Sequence, residues 1–149
     1  MRLLVQRVQY ADVTVNTKTI GAINHGFLVF VGISDSDTKE TVDKMLTKLL
    51  NLRIFEDENG KTNLSIRQVS GEILLISQFT LYADCRKGNR PSFINAGAPE
   101  AANHLYQYMI KQCRKEIPKT ACGEFGADMK VSLLNDGPFT VMLDSEEIF

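Results

Sequence analysis

The sequence predicts an α+β domain in which a mostly antiparallel, barrel-like sheet is flanked by two helices. Three observations favour this fold class. Strand-like segments outnumber helical ones, short turns join most neighbouring strands, and the strands do not alternate regularly with helices as they do in doubly wound folds. The length of 149 residues is typical of one domain, so residues 1–149 are interpreted as a single unit.

The N-terminal part of the chain has the pattern of strands. Residues 4–8 and 13–15 alternate in a way that predicts a strand pair. Residues 26–33 form a β-branched and aromatic run with glycines near both ends, which predicts a strand buried on both faces. We expect this strand in the middle of the sheet.

The first helix is predicted to follow Asp37. Asp37 and Glu40 have the spacing of a capping box, and apolar residues then recur at helical spacing over residues 42–50. Residues 53–56 lead into Asn59-Gly60, a pair suited to positive φ in a tight hairpin turn.

The second half predicts one more helix between strands. Residues 72–81 carry the longest strand signal, and Pro99 suits the first turn of a helix with an apolar face over residues 102–113. Two strands, residues 129–134 and 139–143, are expected to complete the sheet.

Composition and charge exclude several classes of protein. The chain is 44% hydrophobic and 23% charged, and no apolar run approaches the roughly 20 residues that span a bilayer. Gln6 and Arg7 interrupt the N-terminal apolar stretch before it reaches the length of a signal-peptide core, so we expect a cytoplasmic protein. The three cysteines are odd in number and widely spaced, which predicts reduced thiols.

The sequence carries no recognisable catalytic motif of a common hydrolase. It has two histidines, His25 in a turn and His104 in the second predicted helix, and neither has a Ser or Cys as its neighbour. No metal-ligand spacing and no glycine-rich phosphate loop occurs. We therefore expect neither a catalytic metal nor a cofactor.

Two polar interruptions of apolar strands are the unusual features. Ser77, Gln78 and Thr80 break the run over residues 72–81, and strict alternation would put Ser77 and Thr80 on opposite faces unless a bulge intervenes. Residues 135–140 have the composition of a β-turn. A Gly-Pro pair can also be cis and present two carbonyl oxygens rigidly to a cation such as an α-ammonium group.

One short segment is locally basic although the net charge of the chain is only −1. Arg86, Lys87 and Arg90 lie within five residues that contain no acid. Such a segment is either a solvated loop or a contact for phosphates.

With these two polar motifs, the sequence resembles the D-aminoacyl-tRNA deacylases, historically called D-Tyr-tRNA deacylases. Residues 77–80 (Ser-Gln-Phe-Thr) and 135–140 (Asn-Asp-Gly-Pro-Phe-Thr) are similar to the two signature motifs of that family. Segments around residues 7–13, 52–55, 87–93 and 123–129 resemble family segments in the same order. The resemblance therefore covers nearly the whole chain.

The resemblance implies a barrel-like fold and a homodimer with two active sites at the subunit interface. It implies that Gly137-Pro138 is cis and reaches into the partner's site, where its carbonyls face the α-ammonium and α-hydrogen of the aminoacyl group. The side chain of an L-amino acid would collide with these carbonyls, so selection works by rejection. Glycine has no side chain, and glycyl-tRNA is an expected second substrate.

The resemblance also assigns roles to individual residues. It places Ser77, Gln78, Phe79 and Thr80 at the catalytic centre, where main-chain N–H groups would stabilise the oxyanion. The vicinal 2′-hydroxyl of the terminal ribose would assist the attacking water, although Thr80 as a nucleophile remains an alternative. Substrate binding and chiral selection are expected from Arg7, Met129, Gly137, Pro138 and Thr140. Phosphates of the tRNA acceptor stem are expected at Arg86, Lys87 and Arg90.

The sequence departs from the family at one position, and two alternative functions remain open. Phe139 stands where a smaller β-branched residue is typical, which predicts altered packing under the loop without loss of chiral selection. A relative on the same fold could instead edit L-aminoacyl-tRNA. A non-catalytic RNA-binding module is the alternative from another class, with the neutral net charge against it.

Overall fold

A computed structural model describes residues 1–149. The strands are β1 (Arg2–Val15), β2 (Lys18–Ile23), β3 (Gly26–Gly32), β4 (Arg53–Glu56), β5 (Thr62–Ser65), β6 (Glu72–Ser77), β7 (Thr120–Cys122) and β8 (Lys130–Asp144). The α-helices are α1 (Lys39–Leu50), α2 (Pro99–Glu116) and a final single turn, α3 (Ser145–Ile148), and a 3₁₀ turn covers Phe79–Tyr82. None of the helices is long and apolar enough to cross a membrane.

Six of the strands form one mostly antiparallel sheet. Its order is β2-β1-β3-β6-β7, and β8 pairs with the remaining edge of β1. The β3–β6 and β6–β7 pairs are parallel and the other pairs are antiparallel. The sheet curls so that its two edge strands, β2 and β7, approach each other. A Cβ built on Gly21 of β2 would lie 3.0 Å from the carbonyl oxygen of Cys122 in β7. This nearly closed barrel with two long helices confirms the predicted fold class.

Apolar side chains pack on both sides of the sheet. The larger core joins one face of β1, β3 and β6 to both long helices, and the smaller core fills the barrel. As the sequence predicted, each long helix buries its periodic apolar face: Val42, Met45, Leu46, Leu49 and Leu50 in α1, and Ala102, Leu105, Tyr106, Met109, Ile110 and Cys113 in α2.

Three local predictions were wrong. Residues 2–15 form one long strand, which pairs with both β3 and β2 along one edge, and not a strand pair. The cap of α1 is Thr38, whose hydroxyl accepts from the main-chain N–H of Thr41, because Asp37 is occupied with the N–H of Ser34. The strand predicted over residues 72–81 ends at Ser77, so the parity argument for Ser77 and Thr80 does not apply.

The closest backbone approach in the sheet lies at Gly26, which is paired with Glu72. A Cβ on residue 26 would lie 1.9 Å from the carbonyl oxygen of Glu72, and backbone cannot move aside as a side chain can. We expect Gly26→Ala to lower the free energy of unfolding by about 3 kcal/mol, measured by urea denaturation. Gly60→Ala is the control: its Cβ meets open space, and its positive φ should cost only about 1 kcal/mol. Equal losses in the two variants would contradict the packing argument.

Candidate active site

The first predicted motif lies where β6 ends. We call residues 77–80 the strand-end segment. Gln78 still donates its main-chain N–H to the carbonyl of Val31 at 2.8 Å, and the 3₁₀ turn begins at the next residue. The first N–H groups of such a turn have no partner inside it. Phe79 and Thr80 are exposed here, with Phe79 57% accessible.

The hydroxyl of Thr80 has an amide and not a base as its neighbour. The side-chain N–H of Gln78 donates to Oγ1 of Thr80. His25 precedes the opposite end of β3, where its ring contacts Phe55 edge-on at 4.9 Å, and His104 is exposed on α2. An amide N–H cannot accept a proton, so the Gln78 side chain cannot be the base that would activate Thr80 as a nucleophile.

The second predicted motif is a bulge within β8 and not the turn between two strands that its composition indicates. Gln6 of β1 pairs with Thr140, and Val8 pairs with Asn135. Two steps along β1 therefore face five steps along β8, and residues 136–139, the β8 bulge, leave the ladder. The Gly137-Pro138 peptide bond is cis, and both residues are exposed.

Arg7 fills the space beneath the β8 bulge. It is only 7% exposed, and its Nε donates to the carbonyl of Asp136 at 2.9 Å while Nη1 donates to the carbonyl of Ile54 at 2.6 Å. The guanidinium carbon lies 4.9 Å from the ring centroid of Phe139. Phe139, the departure noted in the sequence, thus packs under the bulge against a buried cation.

The base of the bulge is closed by polar side chains whose role the sequence did not predict. The amide oxygen of Asn135 accepts a hydrogen bond from the main-chain N–H of Phe139 at 2.7 Å, and its amide nitrogen donates to the hydroxyl of Thr140 at 3.0 Å. Gln6 also reaches the Thr140 hydroxyl, at 3.3 Å. Thr140, which the resemblance assigned to substrate selection, therefore lies at the base of the bulge with its hydroxyl bonded to Asn135 and Gln6. The signal for Asn135 in the sequence was its turn-forming composition.

The strand-end segment and the β8 bulge lie at different places along the sheet. Ser77 is paired with Val31 and so is aligned with Leu3, whereas the bulge leaves the ladder opposite Arg7. Four residues along β1 and three strand spacings across the sheet place the two motifs roughly 20 Å from each other when the path is followed along the sheet. The pairing therefore does not bring Thr80 and Gly137 side by side within this chain.

Met129, in contrast, lies close to the strand-end segment. Its side chain is half-buried and joins the barrel core that contains Ile76, the residue before Ser77. A Cβ on Gly123 would lie 2.5 Å from the sulfur of Met129. The thioether therefore stands directly beside the end of β6.

Comparison with known proteins identifies the family of the chain. The family described as D-Tyr-tRNA(Tyr) deacylase matches residues 4–144. The chain belongs to this family. It is 58% identical to the D-aminoacyl-tRNA deacylase of Clostridium novyi and 50% identical to that of Thermosipho africanus, and both alignments cover 100% of each chain. Relatives of this family are hydrolases, so membership identifies the chain as an enzyme of that class.

Two solved structures share the fold of this deacylase family member. One, described as c-Myc DNA Unwinding Element Binding Protein, has a TM-score of 0.92 and 44% identity over 97% of this chain and 98% of its own. The other, described as a probable eukaryotic D-amino acid tRNA deacylase, has a TM-score of 0.84 at 20% identity over 95% and 97% of the chains. At that identity the second structure supports the fold alone.

The basic segment of this deacylase family member, residues 86–90, is exposed throughout. It follows Asp84, which is bridged to Ser92 by two main-chain hydrogen bonds of 2.7 and 2.9 Å. Arg86 pairs with the Asp84 carboxylate at 2.6 Å and holds the pKa of that carboxyl down to about 2. Lys87 and Arg90 form no ion pair. Two of the three predicted phosphate contacts therefore present uncompensated charge.

No group of three or more His, Cys, Asp or Glu side chains is arranged to hold a metal ion. The three cysteines are unpaired, with Cys85 exposed and Cys113 buried. Burial raises the pKa of the Cys113 thiol, which keeps it protonated and unreactive at neutral pH.

Proposed function

We propose that this chain hydrolyses the ester of D-aminoacyl-tRNA and releases the free D-amino acid and tRNA. The observation that carries the proposal is the β8 bulge seated on Arg7, in which the exposed residues Gly137 and Pro138 leave the ladder. Outside the ladder, their main-chain carbonyls lose the pairing that normally satisfies such acceptors, so they are candidates to meet a ligand. The family relationship over the full length of the chain supplies the reaction class.

The active unit in this proposal is a homodimer. The strand-end segment and the β8 bulge are too far apart to act on one small group, so each site takes one motif from each subunit. A twofold axis would create two such sites at once. Large apolar side chains are also exposed beside both motifs: Phe79 and Phe93 near the first, and Leu134 and Met142 on either side of the second.

Chirality is read by main-chain oxygens in this dimer. The carbonyls of Gly137 and Pro138 from one subunit would face the α-ammonium and α-hydrogen of an aminoacyl group held at the partner's strand-end segment. An L-amino acid would direct its side chain into these carbonyls, whereas a D-amino acid directs it away. Glycine has no side chain to reject, so glycyl-tRNA is also a substrate in this proposal.

The ester is cleaved by water with assistance from the RNA. The N–H groups of Phe79 and Thr80 would hold the ester carbonyl and stabilise its oxyanion, a contribution of about 3 kcal/mol per donor. The 2′-hydroxyl would orient the water as it attacks the acyl carbon. It would then relay the proton of that water to the 3′-oxygen as the ester bond between the acyl carbon and the 3′-oxygen breaks. This role suits a site where Thr80 has only the Gln78 amide beside it.

The tRNA end is bound on both sides of the strand-end segment. Met129 would line the subsite of the terminal adenosine, and Arg86, Lys87 and Arg90 would contact phosphates of the acceptor stem. Since aminoacyl-tRNA is used in the cytoplasm, we place the activity there.

The decisive test offers the purified protein D-Tyr-tRNA and L-Tyr-tRNA at equal concentration and follows ester loss. We expect hydrolysis of the D ester at least 100-fold faster than that of the L ester, a ratio that corresponds to about 2.7 kcal/mol. Loss of both esters or of the L ester alone would indicate the editing relative. Binding of tRNA without ester loss would indicate the RNA-binding module.

A further inference from the structure

The loop that carries Met129 is held by a buried residue of α2. Residues 123–129, the 123–129 loop, connect β7 to β8. Tyr106 is fully buried, and its hydroxyl lies 2.8 Å from the carbonyl of Leu75 and 3.3 Å from that of Gly123. Burial raises the pKa of Tyr106, so its hydroxyl remains a donor at all ordinary pH values. One side chain thus joins the end of β6 to the start of the loop.

Two further contacts fix the same loop. The main-chain N–H of Gly123 donates to the carbonyl of Leu75 at 2.9 Å, and the ring of Phe125 packs against that of Tyr106 with centroids 6.0 Å apart. Gly126 takes a positive φ of 79°, which turns the chain back so that Met129 reaches β6. The loop is therefore attached to Tyr106 through both its backbone and an aromatic side chain.

Gly123 leaves the space in which the Met129 thioether lies. A Cβ on residue 123 would stand 2.5 Å from the Met129 sulfur and 3.0 Å from Cδ1 of Ile76. Ile76 is buried in the barrel and cannot withdraw, whereas the Met129 side chain is flexible and half-exposed. Any side chain at position 123 would therefore push the thioether out of the position that it now occupies.

We propose that Tyr106 and Gly123 are positioning residues that set where Met129 stands, and so set the depth of the subsite for the terminal adenosine. The inference rests on the proposed function, in which Met129 lines that subsite. Neither residue touches substrate. Tyr106 fixes the distance between β6 and the loop, and Gly123 keeps the thioether against the sheet.

The test compares Gly123→Ala and Tyr106→Phe with the wild type on D-Tyr-tRNA. We expect Gly123→Ala to raise KM about tenfold and Tyr106→Phe about threefold, with kcat within twofold of wild type, because ground-state binding is altered and the reacting groups are not. Adenosine 5′-monophosphate should compete with substrate, and its inhibition constant should rise in parallel with KM.

Thr120→Val is the matched control. Thr120 lies on β7 at the end away from the loop, and its buried hydroxyl donates to the carbonyl of Ile117 at 2.6 Å. This variant should lower Tm as Tyr106→Phe does and leave both KM and the inhibition constant unchanged. A KM increase of equal size in Thr120→Val would reduce the role of Tyr106 to general stability and overturn the proposal.

A double variant isolates the route through Met129. On a Met129→Ala background the added Cβ of Gly123→Ala has no thioether to displace, so its effect on KM should disappear. A full tenfold effect on that background would overturn the inference, as would unchanged KM in both single variants. Should Gly123→Ala fail to fold, Tyr106→Phe decides alone. If the wild-type protein leaves D-Tyr-tRNA intact, the proposed function itself is refuted. That result is separate from any result obtained with the variants.

Discussion

Replacing Arg7 with alanine is expected to lower the rate of D-Tyr-tRNA hydrolysis roughly 100-fold, the typical result of moving a substrate-facing group by about 1 Å. Arg7 is the only side chain that links the carbonyl of Asp136 in the β8 bulge to the carbonyl of Ile54 beneath it. Without the guanidinium, the bulge loses its support and Phe139 loses its stacking partner. Rejection of L-Tyr-tRNA should weaken as well, because the carbonyls of Gly137 and Pro138 no longer stand in one place.

The same variant should lose about 3 kcal/mol of stability, since the buried carbonyl of Ile54 and the partly buried carbonyl of Asp136 lose the donor that Arg7 provides. Urea denaturation measures this loss, and single-turnover ester cleavage at a temperature where the variant is folded measures the rate. Arg7→Lys should recover only part of the activity, because one ammonium cannot reproduce the fork of a guanidinium. Arg67→Ala, which removes an exposed partner of Glu116, is the control and should change neither property. A folded Arg7→Ala protein with wild-type selectivity would refute the role given to the bulge.

A substrate ending in 2′-deoxyadenosine is expected to be cleaved on the order of 1000-fold more slowly than the ordinary substrate, the usual worth of an acid–base group. This large effect is expected because the strand-end segment offers N–H donors and an amide but no base. The Thr80 hydroxyl is hydrogen-bonded to the Gln78 amide. If no protein group can take the proton of the attacking water, removal of the RNA hydroxyl cannot be compensated. Rapid-quench measurement, corrected for spontaneous hydrolysis, gives the rate.

Thr80→Val is the counterpart of the deoxy substrate. It removes only the hydroxyl and keeps the main-chain N–H, so we expect less than a tenfold loss of rate on the ordinary substrate. The pair of experiments separates the two mechanisms without reference to binding. An inactive Thr80→Val enzyme together with normal cleavage of the deoxy substrate would establish Thr80 as the nucleophile and overturn the RNA-assisted mechanism.

The sequence predicted the elements whose signals are local. Helix α2 followed from Pro99 and the apolar spacing after it, and β3 from an apolar run of strand length beginning at Gly26. Both signals survive in the structure because packing reinforces what the local pattern favours. The hairpin of β4 and β5 likewise followed from Asn59-Gly60, where Gly60 takes a φ of 72°.

The misassigned turn in β8 arose where pairing between distant segments decides the structure. Residues 135–138 have the composition of a turn, yet β8 continues past them because β1 supplies partners on both sides of the bulge. The apolar residues Phe79 and Leu81 concealed the end of β6, since a 3₁₀ turn and a strand can share the same short pattern. Register is a property of two strands, and one strand's sequence does not contain it.

The sequence identified the candidate site through its two motifs. It did not identify the residues whose contacts hold those motifs in place. The sequence placed Arg7 near Gly137-Pro138 by resemblance alone, and its contacts with Asp136 and Ile54 emerged only in three dimensions. Asn135 and Tyr106 were not singled out. A buried tyrosine on an apolar helix face is ordinary core in any sequence, and its hydroxyl bonds depend on strands more than 15 residues away.

The detour in β8 separates two evolutionary demands on one strand. Since the ladder resumes at Thr140 in the same direction that it left at Asn135, the residues between them take no part in the pairing of β8 with β1. In the proposed function, substitutions in this stretch change which amino acids the enzyme rejects and leave the pairing of β8 with β1 in place. New specificities can therefore arise within a few residues as long as the contacts with Arg7 are kept.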